Sequence, residues 1–437
     1  MGRLLGFLGT GIVLLTAACG SSVTPPVRTA PSVDPTTATK PNPGDEAKFN
    51  AAVDLFVTHD RQNDWSPAVC GEVVRAFEAV PRNAQALFDA GLVYQRCNDD
   101  KNAQAKLEAA LNIDPKLHHA RAQLALYRYK SDGNKDAAIS ALSQAVIDAE
   151  FRNVPALVDL AAVQMARDSA TGGASCKDDM DCAKLNLQRA LAIDDTFMPA
   201  SNQLGLYYLQ LAKKRAGAGR RADVQQLELA ALVCSQAIKR NPNYAPIHNT
   251  AGLIEHALNH VNGAVAEFRQ AAELDPHFFE AHMNYAALNL GFRGFKQAEQ
   301  AYRQALTLRP NDYDAHLGLS LAIRGPITGA EANYDDLVRA AQAELDAAKK
   351  ADPSRPDAYY NEGILTQEFK AKAGGDKAKT IATLEAAKQS FNTFLSKVAD
   401  KREYGDRYAD AVKRVRGDGS PDSGRLKEID VAIDFLK

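Results

Sequence analysis

Small and large apolar residues recur four and three positions apart in one segment after another. Examples are Ala103, Leu107 and Ala110; Ala230, Cys234 and Ala237; Ala264, Phe268 and Ala271; and Ala298, Tyr302 and Ala305. That spacing places each trio on one face of an α-helix. A small residue, Gly91, Gly205, Gly252 or Ala286, stands in the segment before each trio. A proline follows, Pro115, Pro242, Pro276 or Pro310, and stops the helix. The prolines keep step: Pro81 to Pro115, Pro242 to Pro276 and Pro276 to Pro310 each span 34 residues. Asp195 stands where a further proline would fall. The pattern predicts tandem helical hairpins.

Best defined are the units 84–117, 198–244, 245–278 and 279–312. Looser ones at about 45–83, 118–155, 156–197, 313–355 and 356–398 complete an expected eight or nine hairpins. The 425–437 segment is amphipathic and reads as a capping helix, because terminal repeats need a polar outer face. Insertions fall between the two helices of some hairpins, near 168–182, 213–224, 324–336 and 370–380.

The Gly-x2-Tyr of Gly91 and Tyr94, the Ala-x3-large-x2-Ala trios and the closing prolines resemble the tetratricopeptide repeat (TPR). The resemblance implies an all-α, right-handed superhelical solenoid whose first helix of each pair (helix A) lines a concave, protein-binding face. By the family pattern that face includes Phe88, Asn202, Asn249, Met283 and Leu317, with Leu92, Leu206, Leu253 and Leu321 one turn on. The paired Lys, Arg and Asn of the family's carboxylate-clamp members are absent from these positions. The insertion bearing Lys213, Lys214, Arg215, Arg220 and Arg221 offers a basic finger for an anionic partner.

Residues 4–18 form a 15-residue apolar run behind Arg3, ending in Thr16-Ala17-Ala18-Cys19. It is too short to span a bilayer and has the shape of a signal-peptide core. Its end resembles a bacterial lipobox, which implies cleavage before Cys19 and lipid attached to that thiol. Residues 20–44 hold six of the chain's 19 prolines. They read as an extended tether of roughly 75 Å at ~3.1 Å per residue. The expected organisation is thus a leader over 1–18, a lipidated tether over 19–44 and a solenoid over 45–437. Gly20 lacks the aspartate that retains lipoproteins of that family at the inner membrane. The expected address is therefore the outer membrane, facing the periplasm.

Composition narrows the function. With 52 Lys+Arg against 54 Asp+Glu, the formal charge is -2, and nothing suggests a nucleic-acid binder. Six cysteines in an exported chain call for pairing. Cys70 and Cys97 lie opposite one another across a hairpin turn near Arg82, and Cys176 and Cys182 flank a short polar stretch. Two disulfides are expected, with Cys234 buried as a small hydrophobe.

His248, His282 and His316 recur at the repeat step, too far apart to share one ion when helices pack ~8–10 Å apart. No metal site is expected. Phosphate loops, nucleophile elbows and zinc-protease motifs are missing, so neither an enzyme, a cofactor nor a small-molecule substrate is expected. The combination of lipobox, tether and long repeat array resembles the TPR lipoproteins of adventurous gliding motility (GltE type). That implies a scaffold among periplasmic and outer-membrane motility proteins. A pilotin-like assembly factor for an outer-membrane secretin is the alternative.

Overall fold

The computed structural model describes residues 43–436 apart from 63, 81, 173–174, 217–222, 372–375 and 417–427. Cys19, the leader, the tether up to residue 42, Arg220 and Arg221 lie outside the described residues, and the last two tether positions, Pro43 and Gly44, already belong to the first helix. Within them are 20 α-helices and no strand. They divide into two units, one up to Pro242 and one from Asn243 onwards.

The first unit holds five hairpins. These are α1 (Pro43–Gln62) with α2 (Pro67–Glu78), α3 (Ala84–Arg96) with α4 (Asp100–Ile113), and α5 (His118–Asp132) with α6 (Lys135–Asp148). Then come α7 (Val154–Arg167) with α8 (Asp179–Ile193) and α9 (Met198–Ala216) with α10 (Val224–Arg240). Side-chain caps start many of these helices: Asn83 accepts from the Ala86 N–H, Asn134 from Ala137 and Asn153 from Ala156. Each satisfies a backbone donor that the first helical turn leaves unpaired. The core is built from the predicted trios, with Ala103, Leu107, Ala110, Ala230, Cys234 and Ala237 all buried.

The second unit continues with α11 (Ala245–Ala257) and α12 (Val261–Leu274), α13 (Phe279–Gly291) and α14 (Phe295–Leu308), and α15 (Tyr313–Arg324) and α16 (Tyr334–Ala351). In the last hairpin α17 (Asp357–Ile364) runs on as a π-helical stretch, Leu365–Lys370, before α18 (Lys377–Lys397). α19 (Lys401–Arg416) and α20 (Glu428–Leu436) close the chain. The cap expected over 425–437 is α20, which buries Ile429 and Ile433. The sequence reading left α19 unassigned. It is strongly polar and broken at Gly405, whose φ of 24° is non-helical, so it carries no repeat pattern.

The turns differ by type. Those from helix B to the next helix A are short, at 114–117, 194–197, 241–244, 275–278 and 309–312. All four predicted insertions fall on the other kind, between helices A and B. One boundary needs correction: Lys213, Lys214 and Arg215 form the last turn of α9 rather than part of a loop. Both disulfides also lie on the A-to-B side. Cys70 near the start of α2 joins Cys97 at the end of α3, and Cys176 joins Cys182 across the first insertion.

That side of the first unit is laced by charge. A cation at the end of each helix A reaches the preceding hairpin: Arg96 to Asp60 at 2.8 Å, Lys130 to Asp100 at 2.6 Å, Arg167 to Asp136 at 2.7 Å and Lys214 to Asp168 at 2.6 Å. A positive group there also complements the helix dipole. The exposed ones, Lys130–Asp100 and Lys214–Asp168, add only about 0.2–1 kcal/mol each, so they align the hairpins more than they hold them.

Candidate partner-binding surface

The helix A faces are the surface that the repeat pattern offers to a partner. The structure leaves Asn202, Leu206 and Met283 partly exposed there. It nearly buries Asn249, Leu253 and Leu321, and it places Phe88 (0% exposed), Leu92 (2%) and Leu317 (2%) in the core. Those last three correct the sequence expectation. Neighbouring A helices stand close enough for their inward residues to pack on one another, so the larger apolar ones are consumed by stacking. Asn249 is engaged in the same way, its Oδ1 accepting from Asn284 Nδ2 on α13 at 2.9 Å.

The basic segment is also altered by its surroundings. Lys214 is bridged to Asp168, and Arg215 reaches Asp223 at 3.3 Å. Two of the three described cations are therefore paired within the chain, which weakens the expected anionic-partner site.

The repeating histidines hold the hairpins together. His282 Nε2 donates to the Pro276 carbonyl at 3.0 Å and His316 Nε2 to that of Pro310 at 2.9 Å. Each binds the turn that follows the helix B before it. His248 lies 2.7 Å from Glu267 on its own helix B.

A polar cluster that the sequence reading missed gathers around the ninth hairpin. Arg414 on α19 donates from Nε to Asp410 at 2.7 Å, from Nη1 to Gln367 at 2.7 Å and from Nη2 to Glu368 at 2.9 Å. The Tyr360 hydroxyl donates to the same Asp410 at 2.9 Å, and burial pushes its pKa up. Arg324, at the end of α15, donates to the carbonyl and the Oδ1 of Asn361, both at 3.2 Å. Burial pulls its pKa down to about 10, so it stays charged at neutral pH. These residues follow no 34-residue register, and Arg414 sits on the unassigned helix. Only the paired Arg and Asp of α19, four apart, hinted at a buried bridge.

The tetratricopeptide-repeat family model matches residues 84–117, which are α3, α4 and the turn that follows. None of the curated proteins matches the chain. A thermophilic TPR protein from Thermus thermophilus is 24% identical, covering 47% of this chain and 98% of that one, with a TM-score of 0.40. MamA from Desulfovibrio magneticus RS-1 is 17% identical over 44% of this chain and 96% of its own, at 0.34. The human IFIT1 dimer with m7Gppp-AAAA is 17% identical over 72% of each chain, at 0.43. Residues 84–117 are thus matched as a tetratricopeptide repeat, set among the other helical hairpins of the described residues.

Proposed function

We propose that this chain is a non-enzymatic scaffold of a bacterial envelope, held by lipid on Cys19 to the periplasmic face of the outer membrane. The TPR-type hairpins carry this reading. They supply partly exposed helix A positions, such as Asn202, Leu206 and Met283, and stacked arrays of this kind recognise other proteins along extended surfaces. The two disulfides suit an oxidising compartment, in keeping with the leader and the tether. The partners proposed are components of an envelope machine, the gliding motility apparatus first.

Affinity capture from detergent-solubilised envelope tests the partners. Several motility proteins are expected, whereas recovery of one secretin alone, with gliding intact in a deletion strain, favours the pilotin alternative. Palmitate labelling tests the anchor. Label that persists in Cys19→Ala would overturn it.

A further inference from the structure

The outer face of α10, the last helix of the first unit, differs from that of its counterparts. Its inner face is the trio Ala230, Cys234 and Ala237 with Leu227, all buried. Turned away from that core are Val224 (53% exposed), Leu229 (42%) and Leu232 (54%). Stacking does not call for leucine there. One residue before the first alanine of the trio and two after it, α4 has Asn102 and Ala105, α12 has Gly263 and Ala266, and α14 has Gln297 and Gln300. Apolar side chains grouped in water gain by being covered, and such groupings mark contact surfaces.

The same face carries two charges that the chain itself does not pair. Glu228 and Lys239 are both exposed, and among the described residues neither has an ion-pair partner. The neighbouring Arg240 does have one, Asp195 at 3.1 Å. Eleven positions separate Glu228 from Lys239. That is three helical turns, so the two line up on one side of α10, roughly 16 Å apart. Leu232 and Ser235 lie between them on the same side.

This order of acid, leucine, serine and base is self-complementary. A second α10, turned end for end about a two-fold axis level with Val233 and Cys234, brings its Lys239 to Glu228 and its Glu228 to Lys239. Each Leu232 then falls beside the small Ser235 of the other copy, and the helix dipoles run antiparallel. A parallel copy would set like charges together.

We infer that the outer face of α10 is where two copies of this chain associate, by an antiparallel pairing of Glu228 with Lys239 around Leu232. One helix pair buries little surface, so the dimer belongs to the weak, reversible class.

Sedimentation velocity of the full chain in detergent, over a wide range of protein concentration, is expected to show a monomer–dimer equilibrium. Leu232→Asp is expected to abolish it. Glu228→Lys and Lys239→Glu each set like charges together at both ends, and each is expected to raise the dissociation constant about tenfold. The double variant Glu228→Lys/Lys239→Glu rebuilds both pairs in reverse and is expected to regain nearly all of the wild-type affinity. All three positions are exposed, and far-UV circular dichroism confirms the fold of each variant. A chain that stays monomeric at every concentration, a dimer indifferent to Leu232→Asp, or a double variant as weak as the single ones overturns the inference. A monomeric chain whose Leu232→Asp variant loses one protein from envelope capture would assign the face to that protein instead.

Discussion

Gly252 lies against the ring of Phe268, where a β-carbon would come within 2.6 Å of the ring edge. The two occupy the small and large positions of one hairpin, so helices α11 and α12 approach until the ring fills the space a side chain would take. Gly363 stands to Phe391 in the same way, at 2.7 Å.

Replacing Gly252 with Ala sets two effects against each other. The helix gains about 1 kcal/mol of intrinsic propensity, while overpacking costs about 1–3 kcal/mol. The rigid aromatic makes the second prevail. Gly252→Ala is expected to lower the unfolding midpoint and speed amide exchange in α11 and α12. The same change in a Phe268→Leu background should be neutral or stabilising, and an equal loss in both backgrounds would refute the packing account.

The two disulfides should differ in worth. Their sequence separations are 27 and 6, and loop-closure entropy assigns about 3–4 kcal/mol to the longer and about 2 to the shorter. Cys70→Ser/Cys97→Ser is therefore expected to loosen the first hairpin more than Cys176→Ser/Cys182→Ser loosens the fourth. Hydrogen exchange resolved by hairpin reads this directly. Alkylation in denaturant should modify Cys234 without reductant and these four thiols only with it.

Two fully buried aspartates should respond to pH in opposite senses. Burial alone would raise the Asp179 pKa, but bonds from Arg167 and from the Ser169 N–H outweigh it and hold the carboxyl below its ordinary value. The stability it contributes is full above the unfolded pKa of about 4 and is lost as the pH falls through the lower folded value. Asp179→Asn should thus cost about 3 kcal/mol at neutral pH and progressively less in acid.

Asp89 is the reverse case. Burial pushes its pKa well above the carboxylate range, with one oxygen accepting from Gln85 at 3.3 Å and the other unpartnered. Above pH ~4 the unfolded chain gains by ionising while the folded one does not. Asp89→Asn should therefore stabilise at pH 7, with the gain vanishing near pH 4. Urea unfolding across pH checks both aspartates, and parallel pH profiles would contradict the assignment.

The hairpins were legible in the sequence because Ala298, Tyr302 and Ala305 or Gly252 and Phe268 must keep their spacing wherever helices stack. The Cys70–Cys97 pair followed from the same register, and Cys176–Cys182 from their closeness across a short polar stretch. The surface was less legible: Phe88 and Leu317 hold face-lining positions by pattern, but whether such a residue faces a partner or its neighbour depends on how closely adjacent A helices approach. That distance is set by small residues in other repeats. The Arg324–Asn361 contact joins side chains 37 positions apart outside any repeat position, so no periodicity announces it.

The contrast between short helix B-to-A turns and variable A-to-B connections has a practical consequence. Material spliced into a connection such as 325–333 leaves every turn that spaces one hairpin from the next untouched. Within each unit, evolution or an engineer can graft recognition elements along that margin without retuning the stack, whereas a long insert at 275–278, in a class of turn that holds only four or five residues, would displace the following hairpin.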